Sequence, residues 1–164
     1  MAVVILDGRV AVAWCTSVAT LAAPTVTEIN AGTRLETLIT PDGLTINPTT
    51  AAVDVSALSS LYTWKRGGRV DYSIKLKFHH DGTTDTAWTL FPRRTSGFLV
   101  VRRGISIATA FATGQGSGGP NGTIAIYPLE TALPDESDPA PNVNWDFEID
   151  FFLNADPSDR SVVA

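Results

Sequence analysis

Two histidines stand side by side, His79-His80, and they are the first residues to test for chemistry. Neighbours in a strand point to opposite faces, so this pair does not converge on one metal ion. A single histidine can still serve as general base to a nucleophile, yet the chain has no Gly-x-Ser-x-Gly elbow to present one. The turn signal Asp81-Gly82 reads the pair as strand-end residues. Gly114-Gln115-Gly116-Ser117-Gly118-Gly119 has the spacing of a dinucleotide fingerprint. That motif needs a strand before it and a helix after it, whereas Pro120-Asn121-Gly122 reads as a turn into a strand. The Lys-Ser/Thr of a phosphate loop is missing as well, so a hairpin loop is the better reading. Asn121-Gly122-Thr123 is a glycosylation sequon, which matters only in a secreted chain. Asp135, Glu136 and Asp138 lack the spacing and closing glutamate of a calcium loop. Asp146, Glu148 and Asp150 offer carboxylates for acid–base work, but regular alternation along a strand accounts for them more simply. Cys15 is the single cysteine, so no internal disulfide is available, and alone it makes no metal site. Its neighbours Val12, Ala13 and Trp14 mark it as a buried small apolar residue. The expectation is a protein with no catalytic, metal or cofactor site.

The elements that carry these residues are mostly strands. From Arg69 to His79, Val70, Tyr72, Ile74, Leu76 and Phe78 alternate with polar residues. From Val143 to Phe151, Val143, Trp145, Phe147, Ile149 and Phe151 do the same. Period two over this length predicts strands with one buried and one wet face. If the two pair, Lys75 and Lys77 come near Asp146, Glu148 and Asp150, and Trp145 is expected in the core. Further strands are expected at Val3–Leu6, Val10–Trp14, Leu35–Thr40, Ala51–Val55, Gly97–Arg103 and Thr123–Leu129. Phe98-Leu99-Val100-Val101 is continuously apolar, which predicts a strand covered on both faces. Thr25-x-x-Glu28 is a capping box before a short helix that Gly32 stops. Thr83 to Phe91 is the stronger helix: Asp85 lies in its first turn, Ala87, Trp88 and Phe91 share a packing face, and Pro92 ends it. The fold class expected is mainly β, a sandwich or barrel of antiparallel strands with one flanking helix, in a single domain of residues 1–164. Three stretches read as long loops: Pro41–Gly68, Gly114–Gly122 and Ala132–Asn142. The first carries Leu44, Ile46, Leu58, Leu61, Tyr62 and Trp64, too apolar for a free linker, and is the candidate assembly arm.

Composition and charge narrow the function. Of 164 residues, 44% are hydrophobic and 18% charged, the reverse of a disordered chain. No apolar run reaches the length of a membrane span, and the first nine residues lack the pattern of a signal peptide. The net charge of −5 is unevenly spread. Residues 65–103 hold nine bases against three acids, and residues 130–164 hold nine acids against Arg160 alone. Such a layout either cancels between paired strands or favours head-to-tail stacking of identical subunits. Tyr72, Trp88, Phe91 and Phe98 lie among the bases, the mixture that nucleic-acid grooves use. The acidic whole, pI about 4.8, argues against direct DNA binding.

The run Asp81-Gly82-Thr83-Thr84-Asp85-Thr86-Ala87-Trp88, with Pro92-Arg93-Arg94-Thr95-Ser96-Gly97-Phe98-Leu99-Val100-Val101-Arg102-Arg103-Gly104, resembles the major tail tube proteins of long-tailed bacteriophages, the actinobacteriophage siphovirus type above all. Pro24 to Gly32, Leu38 to Leu44, the acidic strand near the end, and Asp156-Pro157 with the Val162-Val163-Ala164 tail are similar too. The resemblance implies a virion protein, assembled in the host cytoplasm. It implies homo-oligomeric rings, usually hexameric, stacked around a tape-measure protein into a tube that passes viral DNA without binding it specifically. It makes Pro41–Gly68 a ring-to-ring contact, puts the Asp85–Phe91 helix on the outer side, and makes Asp146, Glu148 and Asp150 lumen candidates. The Gly114–Gly122 loop is longer and richer in glycine than that family's pattern. Two other readings stay open at this stage: a tail terminator or capsid decoration of similar architecture, and a carbohydrate or cell-surface module with Trp64, Trp88 and Trp145 as platforms.

Overall fold

The computed structural model describes residues 7–110, 124–138, 141 and 143–163. The strands expected at Val3–Leu6 and the loop at Gly114–Gly122 lie outside those residues. Among these described residues, nine strands and two short helices follow in the order β1 (Val10–Cys15), α1 (Val26–Asn30), β2 (Thr33–Arg34), β3 (Ile39–Asp54), β4 (Lys65–His79), α2 (Thr86–Leu90), β5 (Ser96–Arg103), β6 (Ile124–Thr131), β7 (Asp135–Glu136), β8 (Asp146–Leu153) and β9 (Ser158–Ser161). Every pairing is antiparallel, in one sheet of order β2-β1-β5-β6-β8-β4-β3, with β7 beside β8 and β9 beside β6. The protein is mainly β, as its alternation requires.

The sheet folds over on itself. Strand β1 is three places from β8, which in a flat sheet is roughly 14 Å. Yet the rings of Trp14 on β1 and Phe151 on β8 lie 5.8 Å apart. The bend falls where β6 meets β8, a contact of three residue pairs from Leu129 to Thr131. Two half-sheets therefore face each other across one core. Val12, Trp14, Leu99, Val101, Tyr127 and Leu129 come from one half, and Ile74, Leu76, Phe78, Phe147, Ile149 and Phe151 from the other. Each such side chain contributes roughly 1.5–3 kcal/mol by leaving water. Helix α2 closes one end. Its Ala87, and Phe91 just beyond it, are buried, and Trp88 packs half-buried on the same cluster. Phe91 meets Trp14 edge-on at 5.0 Å and stacks on Phe78 at 5.5 Å.

The opposite face of β1, β5 and β6 has its own cover. Ala11, Ala13, Cys15, Val100, Ile124 and Ile126 pack under Val18 and Ile29 of the α1 region. This explains the unbroken apolar run at Phe98–Val101. Thr25 caps α1 reciprocally with Glu28, the capping box read from sequence. Backbone amides of Thr25 and Ala19 and the Thr25 hydroxyl all donate to the Glu28 carboxylate and hold it below the usual glutamate range. Burial and the nearby Glu28 charge push the Cys15 thiol up to about 11.

Several expectations need correction. Both helices read from sequence are present among the described residues, but the second spans Thr86–Leu90 rather than Thr83–Phe91. The strand expected from Leu35 starts at Ile39, because Leu35 is buried as a plug and Leu38 and Ile39 turn back onto its carbonyl. Pro41–Gly68 is not a low-order loop. Strand runs to Asp54 and resumes at Lys65. Its glycines and prolines mark irregularities within a hairpin. The register slips between Ile39 and Leu44 around Gly43, where a Cβ would lie 2.4 Å from the Lys77 carbonyl. It slips again beside Gly67-Gly68, and Pro48 sits opposite Tyr72 on the edge strand, where its missing N–H costs nothing. Ala132–Asn142 includes β7. The last long strand covers Asp146–Leu153 rather than Val143–Phe151. Trp145 therefore falls before it and is 62% exposed, not in the core.

Candidate assembly surface

The most exposed apolar residues gather on the β3–β4 hairpin. Nearly every residue from Asn47 to Asp71 is exposed, so this part projects from the body as a two-stranded arm. Near the body, Ile46, Pro48 and Thr50 face Ile74, Tyr72 and Val70, continuing the core side outward. Beyond the bulge, alternation puts Val53, Val55, Trp64 and Arg66 on the other side of the ribbon. The tip presents Leu58 at 108% exposure, Leu61 at 94%, Tyr62 and Trp64.

The tip is a built turn. The Asp54 carboxylate accepts from the Ser56 amide at 2.8 Å and the Ser56 hydroxyl at 2.6 Å, which holds Asp54 below the usual aspartate range. Ser56 Oγ in turn accepts from the Trp64 amide at 2.7 Å, and the Val55 amide donates to the Trp64 carbonyl. Ala57 and Ser60 close the next turn. Polar groups thus hold the backbone while Leu58 and Leu61 face water. An isolated hairpin is marginal in water, and apolar side chains at this exposure gain free energy only when something covers them.

Of the six arm residues expected at an interface, Leu58, Leu61, Tyr62 and Trp64 lie at its end. Leu44 and Ile46 sit instead at the root, half-buried against the core. Ala87, Trp88 and Phe91 come together at the end of the core.

The acids of β8 do not stand bare. The register sets Lys75 beside Asp150, Lys77 beside Glu148 and His79 beside Asp146, the pairing read from sequence. Lys75 Nζ lies 2.8 Å from Glu148 and 3.1 Å from Asp150, and these hydrogen bonds and charges raise its pKa. Asp146 is buried, 2.6 Å from His79 Nδ1 and 3.1 Å from Lys77 Nζ. Burial alone would push Asp146 up, but the hydrogen bonds and charges of His79 and Lys77 outweigh it and hold Asp146 low. Two lysines thus lie against three acids, so part of the uneven charge is offset within the sheet. Arg102 is also spent internally: it is fully buried and donates to the carbonyls of Ser106, Thr109 and Ala110.

One arrangement had no signal in the sequence beyond the histidine doublet. His80 Nδ1 lies 2.6 Å from Asp85, which has φ 44° at the start of α2. Asp85 therefore serves His80 and makes no side-chain cap. The His80 ring stacks on Trp145 at 4.1 Å, with Trp88 at 5.4 Å. Trp64 lies elsewhere, on the arm, so the three tryptophans form no common platform. Among the described residues, no three His, Cys, Asp or Glu side chains converge as metal ligands would, and no helix is long and apolar enough to cross a membrane.

Comparison with known proteins agrees with this geometry. A family model described as "Phage tail tube protein" matches residues 1–164. A chain in a cryo-EM structure of the anti-feeding prophage baseplate, 6-fold symmetrised, is similar in fold, with a TM-score of 0.61 at 8% identity over 96% of each chain. A chain from the tail of an empty GTA particle, C6 symmetry, is similar at TM-score 0.48 and 18% identity, covering 80% of this chain and 89% of that one. No curated protein matches the chain.

Proposed function

The chain belongs to the phage tail tube protein family, and from that premise we propose that it self-assembles into stacked rings forming the conduit for viral DNA. The family is one of structural tail components, not of enzymes. The observation that carries the assembly reading is the arm: a hydrogen-bonded turn holding Leu58 and Leu61 almost wholly in water. An apolar tip at the end of a projecting hairpin fits a contact to the next ring better than a contact within its own fold.

A ring of six is adopted from the six-fold symmetry named for the similar baseplate chain. The tape-measure protein is the partner proposed for the lumen, and DNA passes without specific contacts. A long-tailed phage of the actinobacteriophage type is the proposed source, with assembly in the host cytoplasm. Glu148 and Asp150 remain lumen candidates in altered form, half-exposed and both paired with Lys75. Asp146 is withdrawn from that role by its burial. Lysines already paired with neighbouring acids have no free charge to hold a passing phosphate.

Negative-stain electron microscopy of the purified protein at high concentration tests the reading. Hollow tubes of constant width, or rings that stack, are expected. Monomers at every concentration would overturn unaided self-assembly. A closed ring that never elongates would point to a tail terminator instead.

A further inference from the structure

The two ends of the β4–β8 half-sheet differ in charge. Strand β4 runs from Lys65 in the arm to His79, and from Arg69 to His79 alone it spans about 33 Å. The arm end carries Lys65, Arg66 and Arg69, all exposed. Its acids are Asp54, which Ser56 holds, and Asp71 opposite Thr49. The other end is acidic. Exposed Asp81 follows the end of β4. Strand β7 sets Asp135 and Glu136 beside Glu148 and Phe147, and the Ser137 amide donates to the carbonyl of Asp146, the residue paired with His79. Residues 130–138 hold Glu130, Asp135, Glu136 and Asp138 and no base. Every Lys, Arg, Asp and Glu of the chain lies among the described residues. Their ion pairs join Arg34 to Glu36, Lys75 and Lys77 to the β8 acids, and the histidines to Asp146 and Asp85. The three arm bases, Asp81, Asp135, Glu136 and Asp138 take part in none of these pairs.

The acidic end also has apolar ground for the arm tip. Leu133, just before β7, and Val143 and Trp145, just before β8, are all exposed. A cavity of about 330 Å³ lies beside them, lined by Asp81, Gly82, Asn144 and Trp145 among others. Trp145 is held in place there: its carbonyl accepts from the His80 amide at 3.0 Å while its ring stacks on His80. Bases with an apolar tip at one end thus answer acids with an apolar dent at the other. On the reading of the arm as a ring-to-ring contact, on which this rests, we propose that the arm of one copy docks on the β7 end of the next. Lys65 and Arg66 meet Asp135 and Glu136, and a tip leucine enters the cavity beside Trp145. The two surfaces are different and lie at opposite ends of the half-sheet, so the contact is heterologous and repeats without closing. The charges fix which end meets which, and covering the leucines supplies affinity.

Two measurements on the full chain decide this. In the first, Ser59→Cys and Asn144→Cys copies are mixed at the concentration used for microscopy and treated with a short bis-maleimide, the native Cys15 being buried. A link from position 59 of one copy to position 144 of another is expected. Tubes without that link would overturn the docking and leave self-assembly standing. The link without tubes would support the docking and overturn unaided tube growth. Neither tubes nor link would overturn both. In the second, the yield of the same link is followed against protein concentration in charge-reversed copies. Lys65→Glu/Arg66→Glu and Asp135→Lys/Glu136→Lys should each raise the concentration needed by about tenfold or more. All four changes together should restore it to within about threefold of the original. Four changes no better than either pair, or either pair without effect, would show that these charges do not meet and would overturn the proposal.

Discussion

Removing the two tip leucines separates folding from assembly. In Leu58→Ala/Leu61→Ala the changed side chains sit at 108% and 94% exposure in the single subunit. They contribute no burial there, so the subunit's stability should move by less than about 0.5 kcal/mol. In a ring-to-ring contact each leucine would be covered, worth roughly 1.5–3 kcal/mol apiece, most of which alanine loses. Two losses together come to roughly 3 kcal/mol per contact. At about 1.4 kcal/mol per factor of ten, the critical concentration for tube growth should rise roughly a hundredfold. Pelleting across a concentration series reads that threshold, and a thermal melt of the dilute subunit reads the fold. An unchanged threshold with an unchanged melt would refute the arm as the contact. A melt lowered by many degrees would show that the tip packs on its own subunit and would refute the decomposition itself.

Three further outcomes follow from the geometry. Phe91→Ala removes a fully buried ring that touches Trp14, Phe78 and Phe151, and should cost about 3–5 kcal/mol, lowering the melting temperature by roughly 6–20 °C. Asp146→Asn removes the charge that His79 and Lys77 share and turns one of the two accepting oxygens into an amide donor. Because both partners are part-exposed, the loss should be about 1–2 kcal/mol at neutral pH by denaturant titration. Asp146 is depressed below its ordinary 3.8, so its contribution is present above that value. The gap between the two proteins should close as pH falls below 3.8, and a gap that persists in stronger acid would contradict the pairing. Cys15, buried and pushed up to about 11, should resist a thiol reagent at pH 8 in the folded subunit and react once it is denatured.

The two longest alternating runs were legible because period two needs no partner to be recognised. Ile74, Leu76, Phe78, Phe147, Ile149 and Phe151 are all buried as their phase requires. The arm was legible in composition and misread in form. Its proline and glycines look like loop residues one at a time, and only the pairing of β3 with β4 shows them to be bulge and edge positions. Trp145 shows the limit of periodicity at a strand's end. It keeps the apolar phase, yet the strand has not begun, and the ring turns onto His80.

From sequence alone came the β class, the strand-borne charge ladder of Lys75 and Lys77 with the β8 acids, the capping box at Thr25, the apolar content of residues 41–68, and a family resemblance that the match over the whole chain bears out. These are properties of neighbours along the chain or of one strand's faces. Tertiary structure alone decided that Asp146 is buried between His79 and Lys77, that Asp85 serves His80 rather than its helix, and that the sheet doubles over. Those facts depend on which strands meet and where the sheet bends. Contacts between residues far apart in the chain leave no period for a sequence to display.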